Sequence, residues 1–147
     1  VLILQTAAVH GARRRRLSQT ARARLAVEIL AAYTQSRRAL RRAPIAAVVA
    51  GLRTQSPPAA PPSTDSLGEA RHLGRAVARL LSYLPGDTRC LARSLVLTRL
   101  LARRGIEAKL VIGARTAPEF LAHAWVEHDG QAVLDPGDES FGRLVEL

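Results

Sequence analysis

The feature that most limits the fold is a change of period at Gly105. Before it, every periodic stretch repeats in threes and fours, as helices do. In 17-LSQTARARLAVEILAAYT-34, Leu17, Ala21, Leu25, Ile29 and Ala32 or Tyr33 form one apolar stripe. A second, shorter helix is expected over 36–50, limited or broken by Pro44. Over 66–83, Leu67, Ala70, Leu73, Val77, Leu80 and Leu81 share one side. The clearest helix covers 89–104. Leu91, Leu95, Thr98 and Ala102 line one face, and Cys90, Ser94, Leu97 and Leu101 line its neighbour. Asp87 or Thr88 suits its N-cap, Arg103 and Arg104 suit its negative end, and Gly105 suits the left-handed position beyond it. After Gly105 the pattern is that of strands: 107-EAKLVIGA-114, a turn around Pro118, then 121–128 and 131–135 joined at Asp129-Gly130. Helices first and a small antiparallel sheet afterwards is an α+β order.

Length permits one domain with a real core, at 147 residues. Aromatic residues are only 3% of the chain, so Leu, Val, Ile and Ala must build that core. The stretch 55-QSPPAAPPSTDS-66 carries four prolines and no periodicity, and reads as a linker or extended loop. It divides the chain into an arginine-rich helical region (1–54), a linker (55–65) and a core (66–147). The net charge of +10 lies wholly in residues 1–60, with eleven arginines against Glu28 alone; the remainder is balanced. Such a block is a solvated helical face or a docking surface for an acidic partner.

A single cysteine excludes an internal disulfide and multi-cysteine zinc patterns. No apolar run approaches the roughly 18 residues that span a bilayer. The opening VLIL precedes 13-RRRR-16, the reverse of a secretory signal, so a cytoplasmic setting with a reduced thiol is expected. No metal and no cofactor are expected.

Cys90 falls in the first turn of its helix, where unpaired N–H groups and the helix dipole favour a thiolate. Position alone does not set aside the plainer reading of a lone cysteine as a small buried apolar residue. A partner histidine decides the matter. His10 and His72 read as surface residues, and His128 lies in the hairpin turn. His123 starts a strand and shares a face with Trp125 and Glu127. Its case depends on a carboxylate reaching its other ring nitrogen. A two-residue loop at Asp129-Gly130 pairs Ala124 with Asp135 and puts His123 and Asp135 on opposite faces. A three-residue loop, His128-Asp129-Gly130, sets them directly opposite on one face. The sequence fits either loop. The catalytic reading needs the second, or an equivalent shift. It would then supply a nucleophile, a general base and an orienting acid in the order Cys, His, Asp, on a papain-like helix-and-strand frame.

The elements 90-CLARSLVLTRLLARRGIEAKLVIGA-114 and 118-PEFLAHAWVEHDGQAVLD-135 closely resemble the lasso-peptide leader peptidases, the transglutaminase-like B proteins of lasso peptide biosynthesis. The resemblance is strong over 85–136 and looser over 66–84; 1–60 carries no distinctive motif. It implies a papain- or transglutaminase-like cysteine peptidase core with a triad of Cys90, His123 and Asp135. It implies hydrolysis of the leader–core bond of a precursor peptide, freeing an amine for a separate ATP-using cyclase. It implies work alongside a small winged-helix-type leader-recognition protein, here a separate chain because 1–60 is not β-rich. One departure is PEF, where the family has a more compact PF before the AHAW segment. Weaker expectations attach to Trp125 as cleft wall or core, Phe120 as packing or substrate-side lip, Arg93 as anchor for a loop or an acidic substrate group, and Ser94 as a hydroxyl bonding within its helix. Glu127 and Asp138 are expected to be solvated. A non-catalytic basic module gripping nucleic acid or an acidic partner, and a transglutaminase-like acyl transferase, are the competing readings; nucleic acid is not the expected partner.

Overall fold

A computed structural model describes residues 18–55, 65–85, 90–135, 137 and 141–147. Ser18 caps the first helix, α1 (Gln19–Leu40), by accepting the Ala21 N–H at 3.2 Å. This helix runs past the expected end at residue 34, because 35-QSRRAL-40 contains no breaker. The second helix, α2 (Ile45–Gln55), starts after Pro44 instead of running through it; the proline carbonyl accepts the Val48 N–H. The third, α3 (Ser66–Leu81), is capped by Asp65 through Gly68 N–H and buries Ala70, Leu73, Gly74, Val77 and Leu81 on one stripe.

The fourth helix, α4 (Cys90–Arg103), buries Ser94, Leu95, Val96, Leu97, Thr98, Leu100 and Leu101. That is more than one face, as befits a helix covered on all sides. It packs against α1, α2, α3 and the sheet. Ile29 and Ala32 of α1 join Leu73 and Val77 of α3 and Leu97 and Leu101 of α4 in one cluster, while Val48, Val49 and Leu52 of α2 meet Leu95 in a second. Both helices upstream of the proline-rich stretch thus pack on the core that α4 centres. Arg104 adds polar ties, gripping Glu28 of α1 with two bonds of 2.9 and 2.8 Å and reaching Glu69 of α3 at 3.4 Å. The helix ends as expected. Gly105 has φ 67°, Ile106 N–H returns to the Leu101 carbonyl at 3.0 Å, and Gly105 N–H to Ala102 at 3.0 Å. The expected caps Asp87 and Thr88 lie outside the described residues.

The sheet has the order β3-β2-β1-β4, with every pair antiparallel. Its strands are β1 (Lys109–Arg115), β2 (Leu121–His128), β3 (Gln131–Ala132) and β4 (Gly142–Glu146). Strand β4 is not among the strands expected from the sequence. Leu144 bulges out of it, since Val145 pairs with Ile112 but Arg143 pairs with Gly113. Among the described residues no helix is long and apolar enough to cross a membrane.

The hairpin settles the register question. His128 pairs with Gln131 across Asp129 (φ 49°) and Gly130 (φ 72°), a two-residue turn with both central residues left-handed. The three-residue loop that the catalytic reading asked for is absent. Yet the ladder does not continue to Asp135. It ends with Val133 N–H on the Val126 carbonyl at 2.9 Å, and the chain then bends away. Gly74 of α3 allows this path: a Cβ there would sit 1.9 Å from the Val133 carbonyl oxygen.

Candidate active site

Where β3 departs, β2 is left with an unladdered edge. Ala124 has its main-chain groups on that side, as Val126 does, two residues along. Had β3 continued, Asp135 would have bonded there. Instead the Ser94 hydroxyl donates to the Ala124 carbonyl at 3.0 Å, deep in the interior. Ser94 therefore bonds across to the sheet, not within its helix as expected. Cys90, the first residue of α4, precedes Ser94 by four positions and so lies one turn up the same helix face. Its thiol is free and partly buried.

His123 stands one residue before Ala124. Its Nε2 lies 3.0 Å from the main-chain carbonyl oxygen of Asp135. A carbonyl only accepts, so Nε2 carries the proton and Nδ1 of the neutral ring keeps its lone pair. The Asp135 carboxylate does something else: Oδ1 accepts the Gly137 N–H at 2.9 Å. The structure brings His123 and Asp135 together, but through the aspartate's backbone and not through face-to-face side chains. The ring sits beside Trp125, nearly parallel at 6.1 Å between centroids, and beside Phe141 at 5.2 Å.

Trp125 is buried, and its indole N–H donates to Glu127 Oε1 at 2.8 Å. Glu127 is only 8% exposed, contrary to the solvated role expected of it. Arg143 of β4 donates to the same oxygen at 2.5 Å and to Glu146 at 2.7 Å. Its guanidinium also lies 6.0 Å from the Trp125 ring centroid. The bond to Glu127, then that to Glu146, pushes the Arg143 pKa above its ordinary value; Arg143, then Lys109, holds the Glu146 carboxyl below its own. The signal for Glu127 was its alternation with His123 and Trp125. Its partner sixteen residues away, on a strand without a recognisable pattern, was not legible.

Phe120 is 70% exposed beside half-exposed Leu121. Arg93, one turn after Cys90, has a buried Nε without an acceptor among the described residues. His128 is buried, with Nδ1 2.6 Å from the Glu107 carbonyl and Nε2 3.0 Å from Ser66 Oγ; it joins α3 to the hairpin and is structural. Asp138 and His10 lie outside the described residues. A cleft of about 880 Å³ opens at the far end of β2, between Leu52, Ile106, Lys109, Glu127 and Arg143. None of Cys90, His123 and Asp135 lines it.

The transglutaminase-like superfamily matches residues 29–146. The chain belongs to that superfamily. A segment of 46 residues is 52% identical to the microcin J25-processing protein McjB of Escherichia coli. That segment is 31% of this chain and 22% of McjB, so the similarity spans about a fifth of that relative's length. No solved structure gives a significant match. The superfamily match takes in α4 and the whole sheet, along with most of α1.

Proposed function

We propose that this transglutaminase-like protein is a cysteine peptidase that hydrolyses the leader–core bond of a lasso-peptide precursor. The observation that carries the reading is the His123 hydrogen bond. With Nε2–H held by the Asp135 carbonyl, Nδ1 is the nitrogen left to act as base. The Ser94–Ala124 bond ties the cysteine helix to β2 next to that ring. Cys90 lies one turn, about 6 Å of rise, up the helix from Ser94. The similarity to McjB and the AHAWVE segment support a precursor peptide as substrate.

The chemistry follows from these roles. His123 Nδ1 takes the Cys90 thiol proton, and the thiolate attacks the carbonyl of the last leader residue. The Cys90 N–H, in the first turn of α4, is a donor for the resulting oxyanion. The imidazolium returns its proton to the leaving amine, which departs as the N-terminus of the core. Water, deprotonated by His123, then cleaves the thioester, leaving the leader with a carboxylate and restoring the thiol. Asp135 holds the ring through its main chain and sets a negative charge nearby. A separate winged-helix-type recognition protein presents the leader, and the freed core passes to a cyclase.

Mass spectrometry of a candidate precursor, incubated with the recognition protein and either wild type or Cys90→Ala, tests this. A single cut at the leader–core junction, lost in the variant, is the expected result. Equal cleavage by both proteins would place the nucleophile elsewhere. An amine-linked product in place of the free acid would make the protein an acyl transferase.

A further inference from the structure

We propose that Glu127 and Arg143 are positioning residues for His123, acting through Trp125. The proposal rests on His123 being the base, and extends that reading to groups that touch neither substrate nor thiol. His123 has one described hydrogen bond, from Nε2 to the Asp135 carbonyl. One bond fixes a nitrogen but leaves the ring free to rotate about it. The remaining constraints are two rings, Phe141 at 5.2 Å and the nearly parallel indole of Trp125 at 6.1 Å. The tilt of the imidazole therefore depends in part on what holds the indole.

Three contacts hold it. Gly113 of β1 makes room, since a Cβ there would lie 2.8 Å from indole Cζ3 and 2.8 Å from the Gly142 carbonyl. Glu127 accepts the indole N–H at 2.8 Å, which fixes the rotation of the ring in its plane. Arg143 holds that carboxylate and also lies over the indole. A buried carboxylate needs such a partner: unpaired, it would turn to water and release the indole. Arg143 is itself held by Glu146, which Lys109 also grips at 3.3 Å. The result is a relay of fixed groups from the β4 edge to the catalytic ring.

The test reads His123 directly. Its ring-proton resonances, assigned with His123→Gln, report the indole through ring-current shifts whether or not any peptide is cut. Arg143→Ala and Glu127→Ala are expected to move these resonances. On a precursor that wild type cleaves, they should lower kcat roughly tenfold with KM held within about twofold. Glu127→Gln keeps an acceptor for the indole N–H, so it should restore most of the wild-type shift and rate. Arg143 is half-exposed, so its variant should fold; a thermal melt of each variant checks this. Unmoved resonances in a folded Arg143→Ala protein would overturn the proposal, even if cleavage is normal. So would Glu127→Gln behaving as Glu127→Ala does. Moved resonances in a protein that cleaves nothing would uphold the relay and count against the peptidase reading instead.

Discussion

The body of α4 and the open end of β2 are built in opposite ways. From Leu95 to Leu101, α4 is surrounded by aliphatic side chains from three helices and the sheet, each contact repeated by its neighbours. Around His123 almost every constraint is made once: one hydroxyl on Ala124, one carbonyl on Nε2, one carboxylate on the indole. The first region follows from pattern and volume and tolerates conservative exchange. The second depends on individual atoms. Substitutions in the core should therefore lower stability without changing the chemistry of the molecules that stay folded. Substitutions at the strand end should do the reverse.

The largest effect should come from Leu97→Ala, which empties space between α3 and α4. It is expected to cost about 2–5 kcal/mol in denaturant unfolding while leaving kcat per folded molecule unchanged. A large fall in kcat would break the division between the two regions. Ser94→Ala lies on the boundary. It leaves the Ala124 carbonyl unpaired in the interior, at about 1–3 kcal/mol, and loosens the tie between the cysteine helix and the histidine strand. Cleavage should fall further than stability explains, and Ser94→Thr, which keeps the hydroxyl, should recover part of it.

Asp135 sharpens the comparison. If its backbone orients His123 and its carboxylate accepts the Gly137 N–H, Asp135→Asn keeps both contacts. Its kcat should stay within about tenfold of wild type, with Asp135→Ala lower. An Asn variant as inactive as His123→Ala would show that the carboxylate itself is the orienting group. The smallest effect belongs to Glu28 on the core side. The bidentate bond from Arg104 holds its pKa below the ordinary carboxylate value, ahead of an opposing push from burial. A lowered folded-state pKa means that its stabilisation is full above the ordinary carboxylate value and is lost as pH falls through the folded one. Glu28→Gln should cost at most about 1 kcal/mol near neutral pH, and the gap from wild type in thermal melts should close in acid.

The same division decides what the sequence disclosed. The four helical stretches, the Gly105 stop and the Asp129-Gly130 turn were legible because each is encoded by spacing or by a residue with a backbone preference. Helix α1 overran its expected end because nothing in 35–40 opposes a helix. Strand β3 was read three residues too long: 131-QAVLD-135 has the composition of a strand, and the departure depends on Gly74 in another helix. Strand β4 was invisible because all five of its residues are exposed, leaving no alternation to read. Cys90, His123 and Asp135 were all singled out from residue type and resemblance. The bond between the last two was not foreseen, because a main-chain carbonyl leaves no trace in residue identity.

The central claim is that Cys90 forms the acyl intermediate under the control of His123. Rapid acid quenching of wild type during precursor cleavage, followed by intact-protein and peptide mass spectrometry, tests it most directly. The account predicts a hydroxylamine-labile adduct with the mass of the acylated leader on the peptide containing Cys90, formed far more slowly in His123→Ala. An adduct on another residue, or one that forms as fast without His123, would contradict it.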